Sequence, residues 1–200
     1  MIAVVAKQDA DGVLVFTFVP KGDPGHRQFV ASVVLGSQEL DWTNSPDQPE
    51  GLKEEIEAEI RERLSERSRW IERVEALATQ IETWARLDDW STRRIQFRMK
   101  DAVIGNHTLP AVLMQKETCK VILEPVARSS PRAEGIVDLY LLPEYDDIAS
   151  IYFYGGDWHL HYMFKESPTV NTIRDAERVD LTPENFEKIL SEMQQNANPV

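Results

Sequence analysis

The stretch IASIYFYGGDWHLHYMF, Ile148–Phe164, decides what kind of fold this chain adopts. Gly155 and Gly156 sit at its centre, and glycine supplies the positive φ angles that a two-residue hairpin turn demands. With the turn there, Tyr154 opposes Asp157, Phe153 opposes Trp158, Tyr152 opposes His159, Ile151 opposes Leu160 and Ser150 opposes His161. Opposed residues share a face. One face then carries Ala149, Ile151, Phe153, Trp158, Leu160 and Tyr162. The other carries Ser150, Tyr152, Tyr154, Asp157, His159 and His161. A three-residue Gly-Gly-Asp loop would set Phe153 beside His159, and a slip of one residue would move apolar groups into water. The segment therefore predicts two antiparallel strands with a dry side and a wet side.

The same alternation recurs upstream. In GIVDLYLL, Val137, Leu139 and Leu141 alternate with Asp138 and Tyr140. LPAVLMQ and CKVILEPVA read as further strands. In RRIQFRMK, Ile95, Phe97 and Met99 point one way and Arg94, Gln96, Arg98 and Lys100 the other, which predicts a strand with one dry face. At the N-terminus, AVVAKQ, the turn Asp9–Gly12, VLVFTFVP and RQFVASVVLG predict three strands. Val13–Val19, apolar on both faces, suits a central one. PKGDPG reads as a loop, and residues 41–51 as a linker.

From Leu52 to about Leu87 the period changes to that of a helix. Leu52, Ile56, Ile60 and Leu64 form a first stripe, and Ile71, Val74, Ala78, Ile81 and Ala85 a second, widened by Trp70, Leu77 and Trp84. A continuous helix would span about 54 Å at 1.5 Å per residue. A break in the polar run Ser65–Arg69, or a homodimer through the long helix, would accommodate that length. Acids crowd the helix start (Glu50, Glu54, Glu55, Glu57, Glu59, Glu62): those in the first turn suit the helix dipole, the rest a solvated face. Glu57 with Arg61 and Glu59 with Arg63 have i,i+4 spacing. Residues Lys165–Asp180 are polar and irregular. In LTPENFEKILSEMQQ, Thr182 caps a last helix, Pro183 fits its first position, and Phe186, Ile189, Leu190 and Met193 make its stripe.

The expected fold is α+β: a largely antiparallel β-sheet, with the 52–87 helical region and the C-terminal helix packed on one face. A single domain over 1–200 is favoured, with two small domains, 1–90 and 91–200, as the alternative.

Composition narrows the function classes. The 200 residues carry a formal net charge of −12, which opposes binding to nucleic acid and to anionic membranes. A basic protein partner fits better. The lone cysteine, Cys119, forms no internal disulfide and reads as a buried, inert thiol. MIAVVAKQDADG is apolar for only six residues, unlike a signal peptide, and no run suits a membrane span, so the expected compartment is the cytoplasm. Dinucleotide, P-loop, nucleophile-elbow, zinc-protease and EF-hand motifs are absent from the sequence, so neither a cofactor nor a catalytic residue is assigned. Asp88-Asp89 and Asp146-Asp147 read as turn or cap residues.

The candidate site is a binding surface. Tyr140, Tyr152, Tyr154, His159, His161, Arg94 and Arg98 could share one sheet face if their strands are neighbours, and tyrosine and arginine dominate binding hot spots. The alternative is a small metal-dependent hydrolase built on His159, His161 and Asp157, with His107 a distant contributor. A His-x-His pair alone lacks the third and fourth ligands zinc requires. LPEYDDIASIYFYGG also resembles the Leu-Pro-x-x-Tyr…Asn-Gly-Gly element of a family that includes many bacterial toxin-immunity proteins. That resemblance implies a helix ending at the glycines. The asparagine is missing, only about 15 residues are covered, and the β-branched and aromatic residues predict strands instead. The preferred reading is a non-catalytic, immunity-like interaction protein.

Overall fold

The computed structural model describes residues 5–8, 13–18, 28–34, 39–43, 50–145, 147–163 and 177–197. The sequence-derived turn at Asp9–Gly12, the loop PKGDPG and most of the linker and of Lys165–Asp180 lie outside them. The order is β1 (Val5–Gln8), β2 (Val13–Phe18), β3 (Gln28–Val34), β4 (Glu39–Trp42), α1 (Leu52–Leu87), β5 (Ser91–Met99), β6 (His107–Lys116), β7 (Cys119–Ala127), β8 (Ile136–Leu142), β9 (Ile148–Tyr154), β10 (Asp157–Tyr162), β11 (Glu177–Asp180) and α2 (Pro183–Ala197). The fold is α+β and antiparallel, but with two sheets rather than one. The first runs β1-β2-β3-β4, the second β11-β10-β9-β8-β7-β6-β5.

The chain divides into two compact units, residues 1–71 with 98–108, and residues 72–97 with 109–200. In the first unit, Leu14 and Phe16 of β2, Val30, Ala31 and Val33 of β3 and Leu52 and Ile56 of α1 form a buried cluster. Trp42, Ile60 and Leu64 pack against it. The first helical stripe is thus used on the small sheet, with β2 an inner strand. Trp42 belongs to β4, so the linker begins later than composition suggested: Asp41 and Trp42 pair with Ser32 and Ala31.

Helix α1 runs unbroken for 36 residues. The polar run at Ser65–Arg69 is no break because it contains neither glycine nor proline. Around it, Arg63 donates to the carbonyl of Val103 at 2.7 Å and Arg67 to that of Ile104 at 3.4 Å. Arg63 also pairs with Glu59, whereas Glu57 lies 4.0 Å from Lys53 rather than pairing with Arg61.

In the second unit, Val74, Leu77, Ala78, Ile81 and Ala85 of α1 are buried, as are Phe186, Ile189, Leu190 and Met193 of α2. The Trp84 and Phe186 rings meet at 5.9 Å. Asn185 N–H donates to Thr182 Oγ1 at 3.2 Å, the expected cap. Val121, Leu123, Val137, Leu139, Leu141, Ala149, Ile151 and Leu160 form the dry face of the large sheet. Cys119 is buried beside them, and burial, with Asp147 adding to it, pushes its thiol up to about 11. β5 departs from expectation. Ile95 is exposed, while Arg94 reaches Glu82 and Glu75 of α1, both at 2.8 Å. Alternation separated the two faces correctly but not which one meets the helix: β5 is an edge strand without a dry side. Glu177–Asp180, read as irregular, extends the opposite edge against β10.

Candidate functional site

The hairpin folds in the register that its glycines dictate. Tyr154 pairs with Asp157, Phe153 with Trp158, Tyr152 with His159, Ile151 with Leu160 and Ser150 with His161. Gly155 and Gly156 have φ of 63° and 92°. On the dry side, Phe153 and Trp158 meet edge-to-face at 5.1 Å, and the Arg73 guanidinium lies 3.7 Å above the Phe153 ring. The segment is not the helix that the immunity-protein resemblance implied.

On the opposite side, register lines polar residues up across five strands. Glu124 of β7 faces Asp138 of β8, Asp138 faces Ser150 of β9, Ser150 faces His161 of β10, and His161 faces Arg178 of β11. Tyr140 and Ile148 flank this row on one side, and Ile136 and Tyr152 on the other. The Tyr140 hydroxyl donates to Asp138 Oδ2 at 2.9 Å. Tyr145, half exposed, sets its ring 5.3 Å from that of Tyr140 and its hydroxyl 3.5 Å from Glu124 Oε1. Tyr152 lies 4.5 Å from the His161 ring. Tyr154 stacks on His159 at 3.9 Å.

Two atoms of the row are buried with no hydrogen-bond partner: Asp138 Oδ1 and His161 Nε2. Burial raises the Asp138 pKa, and the hydroxyls of Ser150 and Tyr140 only partly offset that rise. Burial, then the nearby Arg178 and His159, lowers that of His161, which favours its neutral form. Burial and the carboxylate of Asp138 raise the Tyr140 phenol, which remains a donor. The row thus holds a carboxylate oxygen without a donor among tyrosine rings, whose faces carry negative potential.

Of the residues named from sequence, the fold brings together Tyr140, Tyr152, Tyr154, His159 and His161. It does not bring Arg94 or Arg98, because β5 stands three places from β8 and five from β10 in the strand order. Arg94 is held by Glu75, Glu82 and Thr79 of α1. Arg98 belongs to the other unit. Glu124, Asp138 and Tyr145 were missed. Asp138 was legible, since alternation put it on the face of Tyr140. Glu124 needed the β7–β8 register, and Tyr145 lies outside any strand.

As metal ligands, the histidines are poorly placed. His159 Nδ1 lies 3.1 Å from Asp180 Oδ1 and Nε2 lies 3.3 Å from the Tyr154 carbonyl; both are acceptors, so a neutral ring donates to one of them. Asp157 is exposed at the turn. His107, in the other unit, directs Nδ1 to the Gly105 carbonyl at 2.9 Å. Among the described residues no three His, Cys, Asp or Glu side chains are grouped to hold a metal ion. The structure thus defines an α+β chain with an aromatic, acid-bearing sheet face. No protein-family model matches the chain, and no curated protein or solved structure matches it.

Proposed function

We propose that this chain is a non-catalytic, cytoplasmic interaction protein, immunity-like in action, whose large sheet receives a basic segment of a partner protein. The observation that carries the reading is Asp138 Oδ1, buried without a donor among Tyr140, Tyr145 and Tyr152. An arginine or lysine from a partner would stack on the ring faces and reach Oδ1 only as the rings above it move aside. The net charge of −12 steers a basic protein toward the surface and repels acidic ones. Among the described residues no helix is long and apolar enough to cross a membrane. Leu52, Ile56, Trp70, Val74, Leu77, Ala78, Ile81 and Ala85 of the α1 stripes are buried within the chain, which favours a different partner over a helix-mediated homodimer. The metal-dependent hydrolase reading has less support, since among the described residues no three His, Cys, Asp or Glu side chains are grouped to hold an ion.

The test is co-purification from native lysate with wild type and with Tyr140→Ala/Tyr152→Ala. A basic protein held by the wild type and lost from the variant supports the reading. Retention by both, or an acidic partner, refutes it. Metal analysis of untagged protein tests the hydrolase: a stoichiometric ion lost in His159→Ala/His161→Ala would reverse the preference.

A further inference from the structure

The first unit carries a groove of about 440 Å³ with a different character from the tyrosine face. Arg67, Arg98, Lys100, Asn106, His107 and Thr108 line it, together with one methionine and no acid. Its volume falls within the range of about 300–1,000 Å³ typical of small-molecule pockets. We infer that this groove binds a small oxyanion, a phosphoryl or carboxylate compound, between Arg67, Arg98 and Lys100.

Three cations converge in a chain whose formal charge is −12. Several cations elsewhere in the chain are tied to acids: Arg63 to Glu59, Arg73 to Glu134, Arg94 to Glu75 and Glu82, and Lys116 to Asp88. Among the described residues, Arg98 and Lys100 have no such partner. The nearest acid in sequence, Asp101, turns Oδ1 to the backbone N–H groups of Val103 and Ile104, at 2.7 and 3.0 Å. These two bonds close the turn before β6. Arg67 is anchored by the Ile104 carbonyl at 3.4 Å, which leaves its remaining N–H groups for a ligand. Asn106 and Thr108 add neutral donors. Mutual repulsion of the three cations is relieved by a bound anion and by nothing else that lines the groove. A polyanion such as nucleic acid does not fit, because the surrounding acidic surface repels its length.

Calorimetric titration of the full chain with pyrophosphate, and separately with citrate, at low ionic strength tests this assignment. Saturable one-to-one binding of either is expected, and which one binds distinguishes phosphoryl from carboxylate ligands. Arg98→Ala/Lys100→Ala weakens it by roughly tenfold or more. The control Arg93→Ala/Lys120→Ala, cations outside the groove, leaves it unchanged. Both pairs are exposed, and circular dichroism confirms the fold of each variant. Absence of saturation with both anions, or equal weakening by the control pair, overturns the assignment.

Discussion

Replacing Asp138 by asparagine should make the protein more stable and a poorer binder. The carboxylate is largely buried, Oδ1 has no donor, and burial outweighs the Tyr140 and Ser150 hydroxyls in setting its pKa. The upward shift fixes the sign: in the fold the ionised group is a net cost. A buried, unsatisfied polar atom costs roughly 1–3 kcal/mol. Asparagine retains an acceptor for Tyr140 and removes the charge, though its amide nitrogen inherits the unmet position. The expected gain at pH 7 is therefore about 1 kcal/mol, at the low end because the side chain is not wholly shut off from water. That corresponds to a rise in Tm of about 2–4 °C for a chain of this size. The gain should vary with pH. The folded state holds the Asp138 proton more tightly than the unfolded chain does. The cost is thus absent below the unfolded value of about 3.9 and grows until pH passes the raised folded value. Urea unfolding followed by tryptophan fluorescence, at pH 7 and in the acid range, measures both effects. A variant less stable than wild type at pH 7, or a difference that does not shrink on acidification, would refute the reasoning.

Four further outcomes follow from the same geometry. His161 should titrate below the ordinary histidine value in a proton NMR series; because the unfolded chain then takes the proton first, stability falls as pH drops below about 6.5. Gly156→Ala, at φ 92° with open space around the added carbon, should cost about 1 kcal/mol from backbone strain alone, whereas Gly155→Asn should cost only tenths in the same urea assay. Phe186→Ala should cost about 3–5 kcal/mol, since its ring is buried against Trp84; a loss under 1 kcal/mol would mean that α2 is not docked. Cys119, with a thiol pushed up to about 11, should react with Ellman's reagent at pH 8 only as the protein unfolds. Stoichiometric labelling of native protein within minutes would contradict its burial.

Local chemistry made much of this legible. Two glycines between mirrored apolar runs set the hairpin register, and most residues of the α1 stripes and all four of the α2 stripe are buried. Physical reasons separate these from the failures. The turn at Gly155-Gly156 is encoded within a few residues, while the distance from β5 to β8 depends on strand order, which no local pattern carries. Arg94 was therefore grouped with the tyrosines though it belongs to an ion-pair network with α1. Ile95 illustrates a second limit: alternation reports that two faces differ, not which of them a helix covers. Asp138 illustrates a third. Its significance lies in an oxygen left without a donor, a property of the assembled face and not of the residue type.

The boundary between the two units falls inside α1, at Ile71 and Glu72, and the first unit also takes residues 98–108. No single cut of the backbone can therefore release both halves whole. On the ribosome, the N-terminal portion must wait for residue 108 to emerge before its own unit is complete, by which time more than half of the chain has been made. A protease nick between residues 72 and 97 would leave that unit as two separate pieces of polypeptide.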